Sequence, residues 1–82
     1  MPRHELKLPD LGLADQPITL SLWLVRRNSP VTQGQAVAEI LCGAALIDLP
    51  SPVDGRLIKK LVDTDATIAP GQILAIIETE DP

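Results

Sequence analysis

Apolar residues recur along this chain in short runs, separated by Pro, Gly, Asn and Asp. That punctuation predicts strands joined by turns. The runs place strands at Glu5–Leu8, Ile18–Val25, Ala36–Leu41, Leu46–Leu49, Gly55–Val62 and Ile73–Glu78. In the second run Ile18, Leu20, Leu22 and Leu24 alternate with Thr19, Ser21, Trp23 and Val25. A period of two suits a sheet with one buried face, so the first set is expected inside. The run lengths favour strands over buried helix segments, and eight prolines leave little room for helix interiors.

The pattern also repeats. At an offset of 37 residues, Leu20, Leu24, Val25, Asn28, Val31, Gly34, Gln35 and Ile40 fall on Leu57, Leu61, Val62, Asp65, Ile68, Gly71, Gln72 and Ile77. Each half reads strand, polar turn, isolated apolar residue, Gly-Gln, strand. Upstream, Leu6, Leu8 and Pro9 fall on Ile47, Leu49 and Pro50 at an offset of 41, with the extra residues assigned to the loop Gly12–Pro17. Neither half can bury its apolar face alone, so the two are expected to pack about a pseudo-two-fold axis, each supplying about four short strands. Gly34 and Gly71 are expected at positive φ in tight turns. A hairpin is expected at Cys42–Ala45; its symmetry counterpart is the chain-end region after Glu78, which leaves that hairpin unique.

Composition narrows the functions. The 82 residues suit a single domain. Trp23 is the only aromatic residue, so Leu, Ile, Val and Ala must build the core. A net charge of −4 argues against nucleic acid and against an anionic membrane surface as partners. Cys42 is the only cysteine, which fits a reducing, cytoplasmic setting. Met1 to Asp10 does not read as a signal peptide, and no apolar run approaches the roughly 18 residues of a membrane helix.

Five stretches resemble one known family. Lys7-Leu8-Pro9-Asp10-Leu11-Gly12 is similar to the opening of lipoyl domains from the acyltransferase component of 2-oxo acid dehydrogenase complexes. Trp23-Leu24-Val25 resembles their second strand, and Val31-Thr32-Gln33-Gly34-Gln35 the turn before the third. Residues 47–55, Ile-Asp-Leu-Pro-Ser-Pro-Val-Asp-Gly, resemble the stretch after the carrier hairpin, and Ala69–Glu78 the final strand and its approach. The resemblance runs from about Glu5 to Glu78. It implies the biotinyl/lipoyl carrier fold: all-β, a flattened barrel or sandwich of two antiparallel sheets with pseudo-two-fold symmetry, the single-hybrid-motif arrangement. The whole chain, 1–82, reads as one such domain with a core of about 5–78, and residues 79–82 resemble the start of a linker.

The resemblance fails at the hairpin. Family members carry Asp-Lys-Ala there, or Met-Lys-Met in biotin carriers, and the lysine amine forms the amide with the cofactor. Counting back from Pro50 puts that position at Ala44, within Gly43-Ala44-Ala45, and no lysine occurs between Gln16 and Leu57. The resemblance therefore implies a lipoyl-like module with no covalent cofactor and no enzymatic activity, serving protein interaction or scaffolding. The partner is unnamed by the sequence: a dehydrogenase-complex subunit or a larger parent chain. The alternative is a true lipoyl carrier in which Ala44 replaces a native lysine by engineering, and only then is lipoate expected. Gly43, where the family has an acidic residue, favours the first reading.

Other candidate chemistry is sparse. Cys42, beside the hairpin tip, would need neighbouring cations or a helix N-terminus to become reactive; none is near in sequence, and an inert, partly packed thiol is expected. His4 has no metal-ligand spacing with Cys42 or a carboxylate motif, and no metal is expected. Lys59 and Lys60 are expected as solvated strand residues. Arg26-Arg27 and Lys59-Lys60 could form a small basic patch at repeat-related positions.

Overall fold

The structure, a computed structural model, describes residues 2–12 and 16–79. Among them the chain forms seven strands and no helix: β1 (Arg3–Lys7), β2 (Ile18–Trp23), β3 (Ser29–Val31), β4 (Ala36–Cys42), β5 (Ala45–Pro50), β6 (Gly55–Lys60) and β7 (Ile73–Glu78). One sheet has the order β1-β7-β6-β3 and the other β2-β4-β5, with every pairing antiparallel. The fold is the all-β, two-sheet arrangement expected from the strand pattern. The region 80–82 and the centre of the loop Gly12–Pro17 lie outside the described residues.

The repeat is real, and its two halves are interleaved. The 37-residue offset carries β2 onto β6 and β4 onto β7. Val31, read from the sequence as an isolated apolar residue, lies in the three-residue strand β3, which pairs with β6. Its counterpart around Ile68 is reduced to a single bridge between Thr19 and Thr67, flanked by hydrogen bonds from the Leu20 N–H to the Ala66 carbonyl and from the Ile68 N–H to the Ile18 carbonyl. The first half thus places β1 and β3 in the sheet that holds β6 and β7, while β5 of the second half joins β2 and β4. Each half borrows strands to complete a sheet, which is why neither could bury its apolar face alone. Gly34 (φ +88°) and Gly71 (φ +84°) hold equivalent turns, and so do Asn28 and Asp65, both at φ +70°. Asn and Asp are among the few side chains that tolerate this conformation.

The upstream offset of 41 is corrected by the hydrogen bonding. The Leu8 N–H donates to the Gln72 carbonyl and the Leu8 carbonyl accepts from the Gly71 N–H; Ser51 makes the same two bonds with Gln35 and Gly34. Leu8 is therefore equivalent to Ser51 and Leu6 to Leu49, an offset of 43. The repeated Leu-Pro pair does not mark equivalent positions, because a strand's register follows its ladder bonds and not the likeness of two letters. Ser51 occupies a buried slot that leucine fills in the other half, and it satisfies its hydroxyl by donating to the Val53 carbonyl at 2.7 Å.

The expected burial of Ile18, Leu20, Leu22 and Leu24 holds only for the first two. Leu22 and Leu24 are exposed, while Trp23 and Val25 pack against the core. A β-bulge between Leu20 and Leu22 is the cause, since one extra residue reverses the in–out phase of everything after it. The second half has its bulge between Leu57 and Lys59, with the same result: Leu61 is exposed and Val62 packs inward. The core itself is aliphatic, centred on Leu20, Val37, Ile40, Leu57, Leu74 and Ile77.

The phase change puts Trp23 between the halves. Its indole N–H donates to the Val62 carbonyl at 3.1 Å, and the Lys60 ammonium lies 5.4 Å from the ring centroid. Lys60 is thus half-buried against an aromatic face rather than simply solvated, a cation–π contact between repeat-equivalent positions. Trp23→Phe keeps an aromatic face, though a smaller one, and removes the donor. It is expected to cost about 1–2 kcal/mol, the worth of one hydrogen bond plus a carbonyl left unpaired, read by urea unfolding followed by circular dichroism.

Candidate functional site

A two-residue connection joins β4 and β5 in the three-stranded sheet. Cys42 pairs with Ala45, leaving Gly43 and Ala44 as the turn. Gly43 has φ +61° and Ala44 does not share the positive sign, which is the pattern of a type II′ hairpin with glycine at its first central position. This turn type follows the right-handed twist of the flanking strands, so the hairpin continues the sheet without splaying it. The Gly43 N–H reaches the Pro17 carbonyl at 3.3 Å, and a Cβ built on Gly43 would stand 2.6 Å from Gln16 Oε1. The segment entering β2 therefore buttresses the hairpin from one side. Nothing in the pattern of the sequence pointed to Gln16 and Pro17 in that role.

The expected tip residues divide by environment. Ala44 and Ala45 are exposed. Cys42, one residue before the turn, is buried at 2% exposure on the inner face of β4, opposite Ile18. Its thiol is a core group behind the hairpin, not a group presented at the tip. What the tip offers to solvent is two methyl groups and backbone amides, with no nucleophile, general acid or metal ligand.

The remaining candidates do not converge. His4 lies exposed on β1, and no group of His, Cys, Asp or Glu among the described residues could hold a metal ion. Lys59 is exposed on β6, and Lys60 is the cation over Trp23. The basic pairs are not repeat-related: the 37-residue offset sets Lys59 and Lys60 against Leu22 and Trp23, the positions that flank the bulges. One ion pair forms among the described residues, Lys7 with Glu5 at 3.8 Å, and both partners are about half exposed. Such a pair contributes little. A groove beside the hairpin is lined by Asp10, Leu11, Gln16, Pro17, Thr67 and Pro70, among others, and Asp10 is the one titratable group among the described residues of its wall. No buried side-chain nitrogen or oxygen among the described residues lacks a partner. The described residues thus contain no paired acid and base and no activated nucleophile of the kind an active site is built from.

Comparison with known proteins decides the family. The biotin/lipoyl family model, described as that of biotin-requiring enzymes, matches residues 4–77. The chain belongs to the biotin/lipoyl domain family. Similar proteins include the lipoamide acyltransferase component of the branched-chain alpha-keto acid dehydrogenase complex of Pseudomonas putida, 30% identical over 98% of this chain and 19% of that protein. The component of the same name in Pseudomonas aeruginosa is 32% identical over 93% of this chain and 16% of its own length. The dihydrolipoyllysine-residue acetyltransferase component of the pyruvate dehydrogenase complex of Bacillus subtilis is 30% identical over 85% of this chain and 16% of its own length. This biotin/lipoyl domain therefore spans less than a fifth of each of these relatives. No helix of the structure is long and apolar enough to cross a membrane.

Proposed function

We propose that the chain is a lipoyl/biotinyl-like module that bears no covalent cofactor, catalyses nothing itself and works by binding a protein partner. The observation that carries this reading is Ala44 at the tip of the β4–β5 hairpin, together with the absence of any lysine between Gln16 and Leu57. A carrier needs an amine at that tip to attack an activated acyl group and form an amide. Alanine offers a methyl group in its place. The remaining lysines do not substitute for it: Lys7 ends β1, and Lys59 and Lys60 lie within β6.

The names of the relatives support a 2-oxo acid dehydrogenase complex as the setting, with a subunit of such a complex or a larger parent chain as the partner. A single buried, unpaired cysteine fits a reducing compartment such as the cytoplasm. Burial of Cys42 counts against a second reading in which its thiol carries an acyl group.

Intact-mass measurement after co-expression with a lipoate ligase and a biotin ligase tests the proposal. The expected mass is that of the unmodified polypeptide. Addition of either cofactor to the chain overturns it.

A further inference from the structure

The outer face of the three-stranded sheet is laid out in two rows. The register of β2, β4 and β5 aligns Leu22, Glu39 and Asp48 in one, and Thr19, Leu41 and Leu46 in the other. Between them the row Leu20, Ile40, Ile47 points inward. Three leucines are therefore on the solvent side of a sheet whose core is already closed. Leu46 is 64% exposed, the highest value among the exposed large apolar residues of the structure, and Leu22 follows at 47%. Leu22 is there only because the bulge after Leu20 turned it outward.

The charges on this face are of one sign. Glu39 and Asp48 are direct cross-strand neighbours, an arrangement in which like charges disfavour the sheet. Among the described residues neither makes an ion pair with a lysine, an arginine or a histidine. The sheet thus holds two unneutralised carboxylates flanked by exposed aliphatic side chains, next to a hairpin that has no chemistry of its own. A partner that set a cation between Glu39 and Asp48 while covering the leucines would remove both unfavourable features together.

The geometry points to this face, Leu22, Leu41 and Leu46 around the Glu39–Asp48 pair, as the docking surface for a protein segment presenting arginine or lysine between aliphatic side chains. The inference rests on the interaction-module reading and supplies the chemistry of the partner. Cross-strand spacing of about 5 Å sets the scale of the contact, matching one guanidinium between two carboxylates.

The test is an NMR titration of the isotopically labelled chain with a synthetic peptide of pattern Arg-Ser-Val-Ser-Arg-Ser-Val. When extended, the peptide carries arginine and valine on one face. The control peptide has glutamate in place of arginine. Expected are amide shifts confined to the two rows with the arginine peptide, none with the glutamate peptide, and affinity about tenfold weaker in the double variant Glu39→Gln, Asp48→Asn. The same double variant alone is expected to melt a few degrees higher, roughly 1–5 °C, because a like-charge pair has been removed. Shifts spread evenly over the surface, equal response to both peptides, or unchanged affinity in the folded double variant would overturn the assignment, and so would a fall in its melting temperature. Cofactor found on the chain by mass would remove the cofactor-free reading and leave this titration unaffected, so the two failures are separable.

Discussion

A lipoate ligase in vitro is expected to add its cofactor to the Ala44→Lys variant and not to the parent, as read by intact mass. The argument is geometric. The hairpin is a tight two-residue turn between paired strands, and Ala44 is exposed at its second position with no positive φ. A lysine there keeps its ammonium in water, so the charge carries no desolvation cost. Restoring the family's acidic neighbour as well, with Gly43→Asp, is a harsher change than the sequence implied. Gly43 sits at φ +61°, and the new Cβ would press on the Gln16 side chain. The first central position of a type II′ turn is a glycine position, so an aspartate there strains the backbone as well. The single variant is therefore the cleaner measurement and the double variant its companion. A folded Ala44→Lys chain that stays unmodified, beside a genuine lipoyl domain that is modified, would show that the ligase's docking surface has changed too.

Val37→Asp and Leu74→Asp are each expected to destabilise the domain by several kcal/mol, roughly half or more of its stability. Both residues are fully buried, and the repeat makes them equivalent. Each substitution forfeits about 1.5–3 kcal/mol of apolar burial and adds a polar group with no partner, roughly 1–3 kcal/mol more. A domain this small has a total stability of about 5–10 kcal/mol to lose. The cost should depend on pH with a definite sign. Burial raises the folded-state pKa of the introduced carboxyl above its unfolded value, so the penalty is largest at neutral pH. It shrinks as pH falls below the raised folded-state pKa, and vanishes only below the unfolded value of about 3.9, where the group is protonated in both states. Thermal melts at pH 7 and pH 4.5, each against the parent at the same pH, are the measurement. A silent change at one position and unfolding at the other would contradict equivalent packing of the two halves.

The architecture was legible because strand punctuation and repetition are local signals. The Gly34/Gly71 pair is expected at positive φ and is found there, while the Asn28/Asp65 pair, legible only as matching polar turns, shares that sign in the structure. The extra residue in each bulge was not legible. The alternation from Ile18 to Val25 runs unbroken in the text, and only pairing with β4 shows that the phase reverses after Leu20. The same blindness produced the offset of 41, since Ser51 standing in for Leu8 is visible only through shared bonds to glycine and glutamine. For the hairpin, the turn's position and its lack of an amine could be read directly from Gly43, Ala44 and Ala45. The inward turn of Cys42 and the buttress from Gln16 and Pro17 depend on tertiary contacts that no spacing encodes.

The two ends of the described chain meet where symmetry would otherwise place a second hairpin. Arg3 pairs with Glu78, as Leu46 pairs with Leu41, and the Thr79 N–H closes onto the Pro2 carbonyl at 2.9 Å. The backbone is thus a nearly closed ring with one opening. A short linker across that opening, with a new break cut at Gly43-Ala44, would give a circular permutant with the same strand pairings and the order of the halves exchanged. Seen this way, which hairpin stands as the tip and which as the pair of ends is a matter of where the ring is cut.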